Sequence, residues 1–300
     1  MRCVSVSVVK NEADVIEAMV RHNVQYLDHM TIVDNGSTDG TLQILTALRD
    51  EGLPIDLRVD LSLGHMQTAI INQFVNGADC DRSAFVFFLD GDEFLCCARE
   101  EFRVFLETRP ASFTMAWKTY VPTPKDNRRD PNVLTRITHA RRREPPGFAY
   151  SKAVLSPEDQ GAVSVRAGSH GLRGMKLAQH PTIRLAHFPV RSVQQIACKA
   201  LLGAWNIQLR GRGRQEALQW FDLAEKIREG GLPTAVELQA IGASYAADRA
   251  MRLVVDPLGS PEPFVLRYCA MAKDPLLSGM IDFVDRLVTR VQTDAKEAGR

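Results

Sequence analysis

Hydrophobic positions along the first 120 residues switch repeatedly between a period of two and a helical period, and that switching predicts a fold class. Val4, Val6 and Val8 alternate with Ser5 and Ser7, which reads as a strand over residues 4–9. Over 12–27, Val15, Ile16, Met19, Val20, Val24 and Leu27 fall on one helical face, as expected of a helix laid on a sheet. Residues 30–33 give a second strand and 41–49 a second helix; Ile55, Leu57 and Val59 alternate as a third strand, and 67–75 reads as a third helix. The run AFVFFL over 84–89 has no polar residue and reads as a central strand covered on both faces. Such alternation predicts an α/β fold, a mostly parallel sheet with helices on both faces. Its ligand site should lie at the carboxyl ends of the strands, where Asp34, Asp60 and Asp90 stand.

From 112 to 188 the texture changes to short apolar segments rich in Pro and Arg: SFTMAWKTY, VLTRITH, FAYSKAVL and IRLAHF. These predict an antiparallel extension of the same sheet. From 192 the pattern is helical, with Ile196, Cys198, Leu201, Leu202, Trp205 and Leu209 in one segment, 236–255 as another and 280–291 as the last. With no internal repeat and no low-complexity linker, the expected organisation is a domain over 1–190 and a helical region over 191–300 packed on it.

A net charge of +1 across 300 residues excludes a global field that recruits nucleic acid or anionic membrane, so nucleic acid is not expected as a partner. The six cysteines are scattered without C-x-x-C spacing and read as buried thiols of a reducing compartment. MRCVSVSVVKNE lacks the apolar core of a signal peptide, and no run of about 18 apolar residues occurs. A cytoplasmic protein is expected, with any membrane contact peripheral.

Candidate chemistry begins where the greasy strand ends, in AFVFFLDGDEF. In an extended segment residues i and i+2 project to one side, so Asp90 and Asp92 are expected to aim at one point, with Gly91 letting a ligand approach the backbone. Two such carboxylates suit a hard cation, Mg²⁺ or Mn²⁺, whose shell is completed by waters and substrate phosphates. On this reading Asp92→Asn removes ligand charge while sparing the fold. The residues alone equally allow acids that only cap a helix near 97–107 or form a solvated turn. The stretch TIVDNGSTDGT likewise offers Asp34, Asn35, Ser37 and Asp39 either to a ligand at a helix start or to a turn and an N-cap. It lacks the spacings of a dinucleotide fold or a P-loop.

Lys10, Asn11 and Glu12 follow the first strand and face the same crevice. The order K-N-E, D-N-G-S-T-D-G-T, F-L-D-G-D-E-F resembles the GT-A fold glycosyltransferases, most closely their family 2-like branch, over roughly residues 1–205. The resemblance implies a Rossmann-like GT-A domain over 1–190. It implies inverting, metal-dependent transfer of a sugar from a nucleotide-diphosphate donor to an unidentified acceptor, whether glycan, lipid-linked or small molecule, as in polysaccharide biosynthesis. Mn²⁺ or Mg²⁺ would sit on the diphosphate. Carried over, Asn11 and Glu12 line the nucleotide pocket; Asp34, Asn35, Gly36, Ser37 and Asp39 read base and ribose; Gln67 and Asp90 complete the donor set; and Asp90 and Asp92 bind the metal. Gly91 stands where the family usually has alanine, a change expected to be harmless.

SKAVL, AGSHGLRG and LAHFPVRSVQQIACKALLG resemble later blocks of that branch, implying His187 as a further metal ligand, with His170 its alternate. An inverting transfer needs a carboxylate base; Glu93 and Glu144 are the candidates, with Asp126, Asp130 and Glu158 in comparable segments. The Arg141–Arg143 run and the basic cluster over 125–129 offer either a clamp for phosphate or an anionic acceptor, or a solvated face. A haloacid-dehalogenase-like phosphatase fits poorly, because its D-x-D continues to Thr or Val where this chain has Glu93. A non-catalytic nucleotide-sugar-binding module is the other alternative. Finally, Ile281, Val284, Leu287, Val288 and Val291 form an apolar stripe whose polar face mixes signs. It is expected to bury against residues 205–220 or against a second copy in a homodimer, with shallow membrane contact as the alternative.

Overall fold

The computed structural model describes residues 1–62, 67–108, 110–147, 150–161, 163–209, 218–269, 284, 287–294 and 296–297. The first half runs β1 (Cys3–Val9), α1 (Ile16–Asn23), β2 (His29–Asp34), α2 (Thr41–Asp50), β3 (Ile55–Val59), α3 (Gln67–Asn76) and β4 (Phe85–Phe88). These are followed by β5 (Glu93–Cys96), α4 (Arg99–Thr108), β6 (Phe113–Thr119), α5 (Val133–Arg136), β7 (His139–Arg141), β8 (Ser151–Leu155) and β9 (Ala178–His187). The C-terminal part carries α6 (Val193–Leu209), α7 (Leu218–Arg228), α8 (Ala235–Ser244) and β10 (Leu253–Val255).

Eight strands hydrogen-bond in the order β3-β2-β1-β4-β8-β6-β9-β5. The first four are parallel; β8 joins β4 and β6 antiparallel, β6 and β9 are parallel, and β5 closes the edge antiparallel to β9. Two-residue periodicity explains why both faces are covered. Val4, Val6, Val86 and Phe88 point to one side and pack with Ile71 and Val75 of α3. Cys3, Val9, Phe85 and Phe87 point to the other and pack with α1, α2 and α4 through Ile16, Leu45 and Phe105. All four residues of β4 are buried, as the unbroken apolar run requires.

The chain builds β1, β2 and β3 outward, then crosses back to place β4 on the far side of β1. The carboxyl ends of β1 and β4 therefore flank a topological switch point, where neighbouring loops part and leave a crevice.

Three expectations are corrected. Residues 133–139 were expected as a strand but form α5 before β7, because Asn132 accepts the Leu134 amide at 3.0 Å and starts a helical turn that overrides β-branched propensity. The helix expected over 236–255 stops at Ser244; a Thr234–Glu237 capping box begins it, and Leu253–Val255 returns as β10, antiparallel to β7. The acids after β4 lead not into a helix but into β5. The antiparallel extension is present, with the β6–β9 pair parallel within it. Of the terminal stripe, Ile281 lies outside the described residues, as does the Trp205 side chain; residues 287–294 are helical and Val284 is buried. Among the described residues no helix is long and apolar enough to cross a membrane.

Candidate functional site

A cavity of about 430 Å³ opens at the switch point. Its walls come from the end of β1 (Lys10, Asn11, Glu12), the loop after β2 (Asn35), the start of α3 (Gln67), the turn after β4 (Asp90, Gly91, Asp92), the end of β9 (His187) and α6 (Gln195, Lys199). Trp117, His170, Trp220 and Tyr245 add rings, so residues on both sides of position 190 share it.

Asp90 and Asp92 do not lie on an extended segment. The Glu93 amide donates to the Asp90 carbonyl at 3.2 Å and the Asp90 amide to Glu93 Oε2 at 2.8 Å, closing a turn that sends the two carboxylates to separate partners. Asp90 meets Lys152 Nζ at 2.6 Å and Gln67 Nε2 at 2.5 Å. Asp92, almost sealed from solvent, meets Lys199 Nζ at 3.1 Å, Arg191 at 3.4 Å and His187 Nε2 at 3.6 Å. Burial alone would raise the Asp92 pKa, but the charges of Lys199 and Arg191 outweigh it and hold the carboxyl below the usual range. Arg191 also bridges Asp14 at 2.8 Å and Glu12 at 2.5 Å.

Five carboxylates (Glu12, Asp14, Asp90, Asp92, Glu93) thus surround three cations (Lys152, Arg191, Lys199). Burial pushes Glu12 up to about 7 and Glu93 up to about 8, against the lowering pull of Arg191 on the first and Lys152 on the second. His187 packs on Trp117 at 4.3 Å, and burial pulls it down to about 3, so its imidazole is neutral; its Nδ1 is buried without a partner. His170 also faces the cavity, bonded to the Ser151 carbonyl at 2.7 Å.

The structure brings Asn11, Glu12, Asn35, Gln67, Asp90, Asp92 and His187 to one cavity; it does not bring Asp34, Gly36, Ser37 and Asp39 to its lining. Those four mostly build the loop. Ser37 Oγ accepts the Asn11 amide at 2.9 Å, and Asn11 Oδ1 accepts the Thr38 amide at 2.7 Å. Asp39 accepts from Thr41 and Ala13, and Gly36 supplies a φ of +67°. Asp34 Oδ1 accepts the Ser37 amide, while its Oδ2 is buried and unpartnered. Asn11 holds φ +56° with Nδ2 equally unpartnered at the cavity wall, an open donor of the kind a ligand satisfies.

Neither proposed base is free. Glu93 is fully buried, with Oε1 accepting Trp117 Nε1 at 2.8 Å and Oε2 the Asp90 amide; it positions the turn. Glu144 is outside the cavity lining, saturated by the Thr119 amide at 2.6 Å and Arg141 at 2.9 Å. Asp126 and Asp130 cap local turns. Lys152, Arg191 and Lys199 were not singled out in the sequence, although they lie in two of the three later blocks. The available signal was a lysine inside the apolar strand SKAVL, and two cations eight residues apart at a helix start.

Residues 6–139 match the family model described as glycosyl transferase family 2. No curated protein matches the chain. Among solved structures it is similar to a mannosyltransferase from Pyrobaculum calidifontis in complex with GDP-Man and Mn²⁺, at 18% identity and a TM-score of 0.39, covering 79% of this chain and 67% of that one. It is also similar to GalNAc-T7 with UDP, GalNAc and Mn²⁺, at 10% identity and TM-score 0.39, covering 76% and 56%. A third is HddC from Yersinia pseudotuberculosis, at 10% and 0.33, covering 62% and 90%.

Proposed function

We propose that the protein is a glycosyltransferase that moves a sugar from a nucleotide-diphosphate donor bound in the switch-point cavity. The family match over 6–139 supports the class. The observation that carries the donor is the cavity itself, where ligand-competent groups at the carboxyl ends of β1 and β4 face Lys199 across one space.

Among the described residues no group of three or more His, Cys, Asp or Glu is arranged to hold a metal by itself. The donor chemistry nonetheless fits a hard divalent cation. A neutral imidazole stands beside the Asp90 and Asp92 carboxylates, and Mg²⁺-type ions are commonly held by one or two carboxylates plus substrate phosphates. Asp90 and Asp92 are the residues that would hold it, with His187 beside them; when bound it supplies positive charge to the departing diphosphate. Lys199 and Arg191 keep Asp92 ionised, and Glu93 and Gln67 fix Asp90.

Thermal shift with nucleoside diphosphates tests this reading. Stabilisation by one of them in Mn²⁺ or Mg²⁺ but not in EDTA is expected, because a ligand that binds only the folded state raises its stability by mass action. Equal stabilisation in EDTA removes the metal from the proposal, and no stabilisation by any nucleotide removes the donor.

A further inference from the structure

A second cavity, of about 350 Å³, is lined by Arg142, Arg143, Arg249, Ala250, Met251 and Arg252, and holds no acid. It forms where the two-stranded β7–β10 ribbon ends: the Arg142 amide donates to the Arg252 carbonyl at 2.9 Å, so the ribbon presents arginines from both strands on one cleft. All four guanidiniums are exposed, and none has an acid partner among the described residues. Arg141, at the head of the same run, is different. It is buried and spent on structure, paired with Glu144 and donating to the carbonyls of Gly242 and Tyr245.

Four unpaired guanidiniums around one cleft repel one another, and in a chain of net charge +1 the positive field is local. Guanidiniums match the oxygens of phosphate in paired, planar hydrogen bonds. The cleft is also tied to the donor cavity. Tyr245 lines that cavity and anchors Arg141 through its carbonyl, and Arg249 follows it by only four positions, a reach of at most about 14 Å.

We propose that this cleft binds the phosphate or pyrophosphate group of an anionic acceptor, holding it while the donor cavity presents the sugar. The assignment to an acceptor rests on the glycosyltransferase reading; the anion site itself does not.

The test is titration of the full chain with inorganic pyrophosphate, followed by NMR of the arginine Nε–H signals, for wild type, Arg249→Gln/Arg252→Gln and Asp90→Asn. Saturable binding that weakens by about tenfold or more in the double variant and persists in Asp90→Asn is the expected result. Affinity unchanged in the folded double variant, or no arginine shift in wild type, overturns the proposal. Loss in Asp90→Asn together with an unchanged double variant assigns the anion to the donor cavity and likewise overturns it. Flotation with phosphatidylcholine vesicles containing phosphatidic acid separates the sources. Pyrophosphate binding with arginine-dependent flotation assigns a lipid-borne phosphate, and pyrophosphate binding without flotation a soluble one. Nucleotide stabilisation, measured separately, reports the donor reading alone, so either can fail without the other.

Discussion

Lys199 Nζ stands 3.1 Å from Asp92 Oδ2, and Arg191 closes on the same oxygen from 3.4 Å. Asp92, itself buried, is therefore a counter-ion of both cations. Asparagine keeps the shape but leaves Lys199 without its counter-ion, while Arg191 retains Asp14 and Glu12. Asp92→Asn is expected to cost about 3–5 kcal/mol, in contrast to the neutral outcome its sequence context suggested. Urea denaturation measures it, and adding Lys199→Met should recover part of the loss, because the two effects are coupled. A variant as stable as wild type would show the pair to be energetically idle.

Glu17 gathers the chain beyond β10. Its two oxygens accept the successive amides of Arg267, Tyr268 and Cys269 at 2.7, 2.7 and 2.6 Å, while Arg21 Nε donates at 2.9 Å from the next helical turn. Glu17→Gln turns one acceptor into a donor facing amides, and a cost of about 2–4 kcal/mol is expected from the unmet groups. Hydrogen exchange at 267–269 should quicken most; uniform change across the sheet would argue against a local clasp.

The parallel half of the sheet was legible because its signal is local. Val-Ser alternation in β1 and the apolar run of β4 each commit their own residues, and the switch point follows from chain order. The cavity's donor edge was legible for the same reason, since it sits where those strands end. What escaped notice depends on partners far along the chain. Asp92 meets Lys199 across 107 residues and Asp90 meets Lys152 across 62, so no window around D-G-D reveals that each carboxylate has its own cation. Nor does the sequence show that Glu93 turns inward to Trp117, because period alone does not say which neighbour fills a buried position.

His22 gives the acid limb of stability a defined source. It is buried in α1 between the Leu95 carbonyl and Ser260 Oγ, both at 2.8 Å, and burial lowers its pKa from 6.5 to about 4. Between those values the unfolded state binds the extra proton, so stability rises with pH across the window and is lost as pH falls. The full contribution is on the order of 3 kcal/mol. His187 acts in the same direction. His22→Gln should flatten the slope of unfolding free energy from pH 6.5 toward 4, whatever its effect on the absolute value. An unchanged slope would place the loss elsewhere.

Gly91 is held to glycine by its neighbours rather than by its backbone angles. A Cβ there would fall 2.9 Å from Glu12 Cγ and 3.2 Å from Val9 Cγ1, closer than carbon atoms pack. Val9 is a buried residue of β1 and has little room to retreat, so the displacement falls on Glu12, whose carboxylate is bound to Arg191. Arg191 in turn holds Asp14 and reaches Asp92, which makes the strain at residue 91 a perturbation of the whole cation network. Gly91→Ala, the residue the motif resemblance made appear harmless, is therefore expected to cost about 1–3 kcal/mol. It should also weaken nucleotide binding beyond what the loss of stability explains. The comparison variant is Gly52→Ala, at φ +93° with open space around its Cβ, which carries backbone strain but no contact with the cavity. If Gly91→Ala and Gly52→Ala lose stability alike and neither changes nucleotide affinity, Glu12 yields without cost and the close approach at Gly91 has no bearing on the site.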